Sequence, residues 1–125
     1  MKLCILGGGL TGLSLAKSLV KKGLSIDIFL NKKKSDFNRS RTIGISNDNL
    51  MYFNKEILDI KKLFWDIKKI EIYSDNLRNE KILNFDNNKK TVFAIIRNYQ
   101  LQSKLLNSLK KDKLCKFKQN FDYNI

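Results

Sequence analysis

The residues with the clearest chemical use stand at the start of the chain, where Gly7, Gly9 and Gly12 fall in the spacing Gly-x-Gly-x-x-Gly within "KLCILGGGLTGLSL". Each glycine in that spacing has its own job. Gly7 permits a tight turn from strand to helix, Gly9 lets a pyrophosphate approach the backbone, and Gly12 allows the helix to pack closely on the strand. Phosphates then lie on the helix N-terminus, where unpaired amides and the helix dipole favour an anion without any cationic side chain. Gly8 adds room and Thr11 brings a hydroxyl. No Gly-Lys-Ser/Thr follows the turn, which excludes a Walker A phosphate loop. The competing reading is a tight turn with a purely structural purpose.

Such a turn needs a strand before it and a helix after it. Residues 2–6 (KLCIL) are a continuous apolar run of strand length, the pattern of a buried parallel strand. From Leu10 to Lys22, Leu10, Leu13, Ala16, Leu19 and Val20 recur at three- and four-residue spacing, with Lys17, Lys21 and Lys22 opposite and Gly23 as the stop. Leu24 to Leu30 reads as a second strand. Together they form one βαβ unit, the context in which the glycine spacing acquires meaning.

The end of the second strand separates the cofactors. An Asp or Glu there accepts hydrogen bonds from ribose hydroxyls, whereas basic residues suit a 2′-phosphate. Counted from Gly23, the acid is due at Leu30, and neither Leu30 nor Asn31 is one. Asn31 can still hydrogen-bond a ribose hydroxyl, and Lys32 to Lys34 can pair with a phosphate or simply be a solvated run.

The rest of the chain is legible in outline. A polar connection covers 32–41, and Ile43 to Ser46 is a brief apolar element. Leu50, Phe53, Ile57, Ile60, Leu63 and Phe64 give helical periodicity from Asn47 to about Asp66, with a break near Asp59. The runs IKKIEIYS, KILNF and TVFAII, separated by the turn segments NLRNE and NNKK, predict an antiparallel meander over 67–96. A helix from about Asn98 to Lys110 carries Leu101, Leu105, Leu106 and Leu109 on one face, and a last strand is expected near Leu114 to Phe117.

Composition narrows the chemistry further. The 125 residues, 42% hydrophobic, suffice for one domain with a core. The net charge of +13 raises the question of nucleic acid. Its lysines are scattered along the chain among interleaved acids, so no nucleic-acid partner is expected. With no histidine in the sequence, Ser-His-Asp triads, Cys-His dyads and His-ligated zinc are excluded, and no metal site is expected. Cys4 and Cys115 both read as buried small hydrophobes in a reducing, cytoplasmic setting. No signal peptide is visible, and no stretch approaches the roughly 18 apolar residues of a membrane span.

Two later segments, "SRTIGISNDNLMYF" from Ser40 and "FAIIRNYQLQSKLLNSL" from Phe93, join the glycine turn in one ordered pattern. An N-terminal Gly-x-Gly-x-x-Gly, an Arg-x-Ile-Gly-Ile-Ser segment, an antiparallel region and a helix of the form Asn-x-x-Leu-x-x-x-Leu resemble the flavin-dependent aromatic hydroxylases. The nearest subgroup is the ubiquinone-biosynthesis hydroxylases, relatives of para-hydroxybenzoate hydroxylase. The resemblance runs from Met1 to about Leu109, and the Arg41 to Ser46 segment carries the subgroup.

That resemblance implies an α/β, Rossmann-like βαβ FAD-binding fold with an antiparallel sheet portion. It implies FAD as cofactor and NAD(P)H as reductant, with oxygen and an aromatic quinone precursor as reactants. Gly7, Gly9, Leu10, Thr11 and Gly12 would meet the pyrophosphate, and Leu30 and Asn31 the adenosine ribose. Arg41 would reach toward FAD or the flavin–substrate region, and Arg97 would lie near the cofactor at its helix start. Arg41 as a surface ion-pair residue and Arg97 as a structural helix start are the alternatives. No catalytic side chain is implied, since the oxygen chemistry belongs to the flavin.

Two departures shape the expectation. The acid at Leu30 is missing, and the family's chains are several times longer. The chain is therefore read as the N-terminal part of an FAD-binding domain spanning 1–125, with 67–96 on the substrate side, and as inactive by itself. It is expected in the cytoplasm, with peripheral attachment to the inner membrane left open. A small NADP-linked Rossmann module using Lys32 to Lys34, and a non-enzymatic basic binding module, are the alternatives.

Overall fold

The computed structural model describes residues 1–30, 39–75, 78, 80–86 and 90–119. Asn31, the Lys32 to Lys34 run, most of the turn segments NLRNE and NNKK and the tail to Ile125 lie outside the described residues. In chain order the elements are β1 (Lys2–Leu6), α1 (Leu10–Lys21), β2 (Ser25–Leu30), β3 (Thr42–Ser46) and α2 (Asn47–Tyr52), which runs on as a π-helical turn over Phe53–Ile57. There follow β4 (Phe64–Ile67), β5 (Lys69–Tyr73), β6 (Lys81–Asp86), β7 (Phe93–Arg97), α3 (Asn98–Lys110) and β8 (Cys115–Gln119).

The βαβ unit forms as its sequence predicts. Leu13, Ala16 and Val20 are the buried face of α1, and Gly23 at φ +81° ends it. The Gly23 amide bonds to the Val20 carbonyl at 2.9 Å and the Leu24 amide to the Leu19 carbonyl at 3.2 Å, a Schellman ending that satisfies the last helical carbonyls. β2 is the central strand of a parallel sheet in the order β1-β2-β8, pairing Ile5 with Ile28 on one side and Ile26 with Cys115 on the other. Leu101, Leu105 and Leu109 turn α3 inward, where it packs against α1 and leads into β8. The result is one core in which Leu13, Ile26, Ile28, Ile96, Leu105 and Leu109 are fully buried. This is a mixed α/β fold with a Rossmann-like parallel sheet and an antiparallel portion.

The second sheet has the order β3-β7-β4, antiparallel throughout. Gly44 is required in it, because a Cβ there would stand 2.0 Å from the Phe93 ring. Three sequence expectations change here. The helical periodicity beyond Ile57 does not continue as helix: Leu58 is extended, and the Ile60 amide bonds to Asn54 Oδ1 at 2.7 Å while the Lys61 amide bonds to Asp59 Oδ1 at 3.0 Å. These side-chain turns redirect the chain, and Phe64–Ile67 joins β7 as a strand. The 67–96 segment is antiparallel but is not one meander: β5 and β6 form a separate two-stranded hairpin inserted between β4 and β7. Finally, Cys115 is buried, and loss of solvation pushes its thiol pKa up, but Cys4 is exposed, because along β1 it alternates with Leu3 and the buried Ile5 and so lies on the other face of the sheet. No helix among the described residues is long and apolar enough to cross a membrane.

Candidate functional site

β1 delivers the chain into the glycine turn, and β2 anchors its start: the Gly7 amide bonds to the Phe29 carbonyl at 2.9 Å. Gly7 has φ +102°, a region that L side chains rarely adopt, so the reversal depends on glycine. A Cβ on Gly12 would stand 3.0 Å from the Gly7 carbonyl oxygen and 3.3 Å from Ile5 Cγ2, so helix and strand meet at the closeness the spacing predicts. Gly9 differs from both. Its backbone, at φ −74° and ψ 170°, is open to any residue, and a Cβ there would meet nothing among the described residues within 4 Å. No contact among the described residues therefore demands glycine at 9.

Gly9 is the N-cap of α1, and its carbonyl takes the first helical bond, from the Leu13 amide at 3.0 Å. The amides of Leu10, Thr11 and Gly12 precede that bond, Gly9 has no side chain to cap them, and no acid stands in the first turn. Their partial positive charge is unopposed from within the helix, the arrangement that receives an anion.

Leu30 is brought to this turn: a Cβ on Gly8 would stand 2.5 Å from Leu30 Cδ2. The strand end thus lies against the turn and presents an apolar side chain that packs on the main chain. Asn31 falls outside the described residues.

Arg41 and Arg97 are brought together with each other, at the end of the β3–β7 pair. Thr42 faces Arg97, and the Asn98 amide bonds to the Arg41 carbonyl at 3.0 Å. The Arg97 guanidinium stacks over the Trp65 ring at 5.2 Å from its centroid, and a hydrogen bond from Arg97 lowers the pKa of the Tyr99 phenol. Arg97 is thus engaged in holding β4, β7 and the start of α3 together.

Two residues not singled out in the sequence complete the area. Gln102, buried on α3, donates from Nε2 to the Gly8 carbonyl at 2.7 Å. Asn98, one turn earlier on the same helix, has its Oδ1 buried with no hydrogen-bond partner among the described residues. An unsatisfied buried amide oxygen costs roughly 1–3 kcal/mol. The sequence signal was there to read: positions 98, 102, 105 and 109 share one helical face, and two of the four are amides among leucines. A cleft of about 670 Å³ lies elsewhere, between the C-terminal half of α1 and α2, lined in part by Ser18, Lys22 and Tyr52.

No family model and no curated protein matches this chain. Solved structures do share its fold. It is similar to p-nitrophenol 4-monooxygenase PnpA from Pseudomonas putida, at 16% identity and a TM-score of 0.74, over 94% of this chain and 31% of that one. It is similar to PqsL, a probable FAD-dependent monooxygenase from Pseudomonas aeruginosa, at 14% identity and a TM-score of 0.75, over 95% and 32%. HpxO from Klebsiella pneumoniae, solved with FAD and uric acid, gives 19% identity and a TM-score of 0.66 over 94% and 30%. The chain spans about a third of the length of these structures.

Proposed function

We propose that this chain is the adenine-dinucleotide end of an FAD-binding oxidoreductase, part of a flavin-dependent monooxygenase that hydroxylates an aromatic ring. The observation that carries the reading is the glycine turn, where the amides of Leu10, Thr11 and Gly12 have no partner among the described residues and an added Cβ at Gly9 would meet none of their atoms within 4 Å. Gly7, Gly9, Leu10, Thr11 and Gly12 would hold the pyrophosphate through main-chain amides. Leu30 would offer the adenosine apolar contact in place of the usual acid, with Asn31 as the nearest hydrogen-bonding side chain in sequence. Asn98 would accept a hydroxyl, and Arg41 would supply positive charge at the end of β3. Arg97, already stacked on Trp65, would act by holding that corner in place.

When bound, FAD would supply the oxygen-activating chemistry, with NAD(P)H as the source of electrons. The chain's own residues bind and orient. The antiparallel sheet that follows β2 supports this reading over a small NADP-linked module, which would continue with further βα units. Within the flavin reading, the Arg41–Ser46 segment favours a phenolic quinone precursor and a place in ubiquinone biosynthesis. A lipid-soluble substrate of that kind would bring the parent enzyme to the membrane surface peripherally. Residues 1–125 would form the N-terminal part of the FAD-binding domain, 67–96 facing the substrate side.

Titration of the purified chain with FAD, followed by flavin fluorescence, tests this. Saturable binding that ADP competes away and riboflavin does not is the expected result, since the contacts proposed here are to the adenine diphosphate half. Binding of NADPH with no binding of FAD would overturn the flavin reading.

A further inference from the structure

Gln102 crosses from α3 to the glycine turn, 94 positions away in sequence, to bond a main-chain carbonyl. We propose that Gln102 is a positioning residue that fixes the orientation of the Gly8–Gly9 peptide and so presents the Gly9 amide to an anion. The functional half of this inference rests on the dinucleotide reading above.

Three consecutive glycines, Gly7 to Gly9, form the least constrained stretch of backbone a chain can have. Fixing such a stretch costs conformational entropy, and a peptide unit between two glycines can rotate with little steric resistance. In a trans peptide the carbonyl and the following amide point in opposite directions. With the Gly8 carbonyl drawn toward α3 by Gln102 Nε2 at 2.7 Å, the Gly9 N–H is turned away from α3. It emerges at an exposed residue, where an added Cβ would meet nothing among the described residues within 4 Å. Leu30 holds Gly8 from a second direction, by packing against its α-carbon, but apolar contact leaves peptide rotation free. Only a directional bond fixes it.

The side chain type fits this use. Gln102 is 7% exposed and lies among Leu101, Leu105 and Leu109. A leucine would fill the space with better packing and leave the Gly8 carbonyl without its donor. Retaining an amide in this position has its return at the turn, not in the core.

The test uses the full 125-residue chain as wild type, Gln102→Leu, Gln102→Glu and Leu109→Val, the last weakening the same buried face of α3 without touching the turn. Amide nitrogen–proton spectra report the turn directly, and FAD titration reports its use. In Gln102→Leu the Gly9 and Leu10 resonances move and FAD affinity falls about tenfold, a loss of about 1.4 kcal/mol. Leu109→Val lowers stability and leaves both turn resonances and affinity in place. In Gln102→Glu the wild-type resonances return as the carboxyl is protonated on acidification, because the acid form regains a donor. This variant decides the matter if Gln102→Leu does not fold.

Turn resonances in Gln102→Leu that match the wild type, or Leu109→Val moving them equally, would overturn the proposal. So would unchanged FAD affinity in a Gln102→Leu protein whose wild type binds FAD. If the wild type binds no FAD, the flavin reading falls while the amide spectra still decide the role of Gln102.

Discussion

The β1–α1–β2 unit and the β5–β6 hairpin draw on the same residues, short runs of isoleucine, leucine and phenylalanine, and put them to different use. In the βαβ unit Leu13, Ala16, Ile26 and Ile28 have no exposed surface, and α3 closes over α1. In the hairpin the register sets Ile70 opposite Phe85 and Ile72 opposite Leu83 on one face, yet Ile72, Leu83 and Phe85 are 44%, 48% and 49% exposed. Its other face is charged: Glu71 pairs with Lys69 at 3.0 Å and with Lys81. Among the described residues, the first region is covered by helices and the second is left largely exposed. A two-stranded hairpin is at best marginal alone, and exposed ion pairs add little. The glycine turn belongs to the packed body, so its amides are held in place before any ligand arrives.

Substitutions on the two sides should separate sharply. Leu105→Ala, in the packed body, is expected to cost about 2–5 kcal/mol of unfolding free energy by denaturant titration, through lost burial and a cavity. Leu83→Ala, in the hairpin, is expected to stay within about 0.5 kcal/mol, as for an ordinary surface change. Comparable losses at both sites would mean that the hairpin face is packed in solution.

A smaller effect concerns pH. Hydrogen bonds from Lys81 and Lys69 hold the Glu71 carboxyl pKa down at about 2, below its ordinary 4.5. The charged form is therefore favoured in the folded state, and its contribution is complete above about 4.5 and declines as pH falls toward about 2. Below that the carboxyl is protonated folded or unfolded. Protection factors in β5 and β6, taken against the intrinsic exchange rate at each pH, should fall over this interval, with those in α1 and α3 unaffected by Glu71, and Glu71→Gln should abolish the pH step in the hairpin.

The same contrast explains what could be read from the sequence. The βαβ unit and α3 were legible because long apolar periodicity and glycine stops have one solution each. The segment after Ile57 was not, since Ile60, Leu63 and Phe64 keep a spacing that serves a helix or a turn into a strand. Asn54 and Asp59, through bonds to main-chain amides, decide for the turn. The split of 67–96 into a hairpin and a separate strand was hidden for another reason: strand pairing is set by distant partners, here β3 and β4 on either side of β7. At the site, the glycines and the place of Leu30 follow from local spacing. Gln102 makes a contact that spans most of the chain, Asn98 Oδ1 finds no partner among the described residues, and only their polarity on an apolar face announced them.

The most direct test of the central claim is FAD titration of Gly9→Ala beside its thermal unfolding. Gly9 has an ordinary φ and nothing among the described residues within 4 Å of an added Cβ, so the fold should tolerate alanine. Losing a glycine cap for alanine should change stability by less than about 1 kcal/mol. A pyrophosphate lying on the turn needs the space the methyl group takes, and FAD affinity should then fall by at least about tenfold, a loss of about 1.4 kcal/mol. Undiminished FAD affinity in a stably folded Gly9→Ala chain would contradict the claim that the dinucleotide lies on this turn.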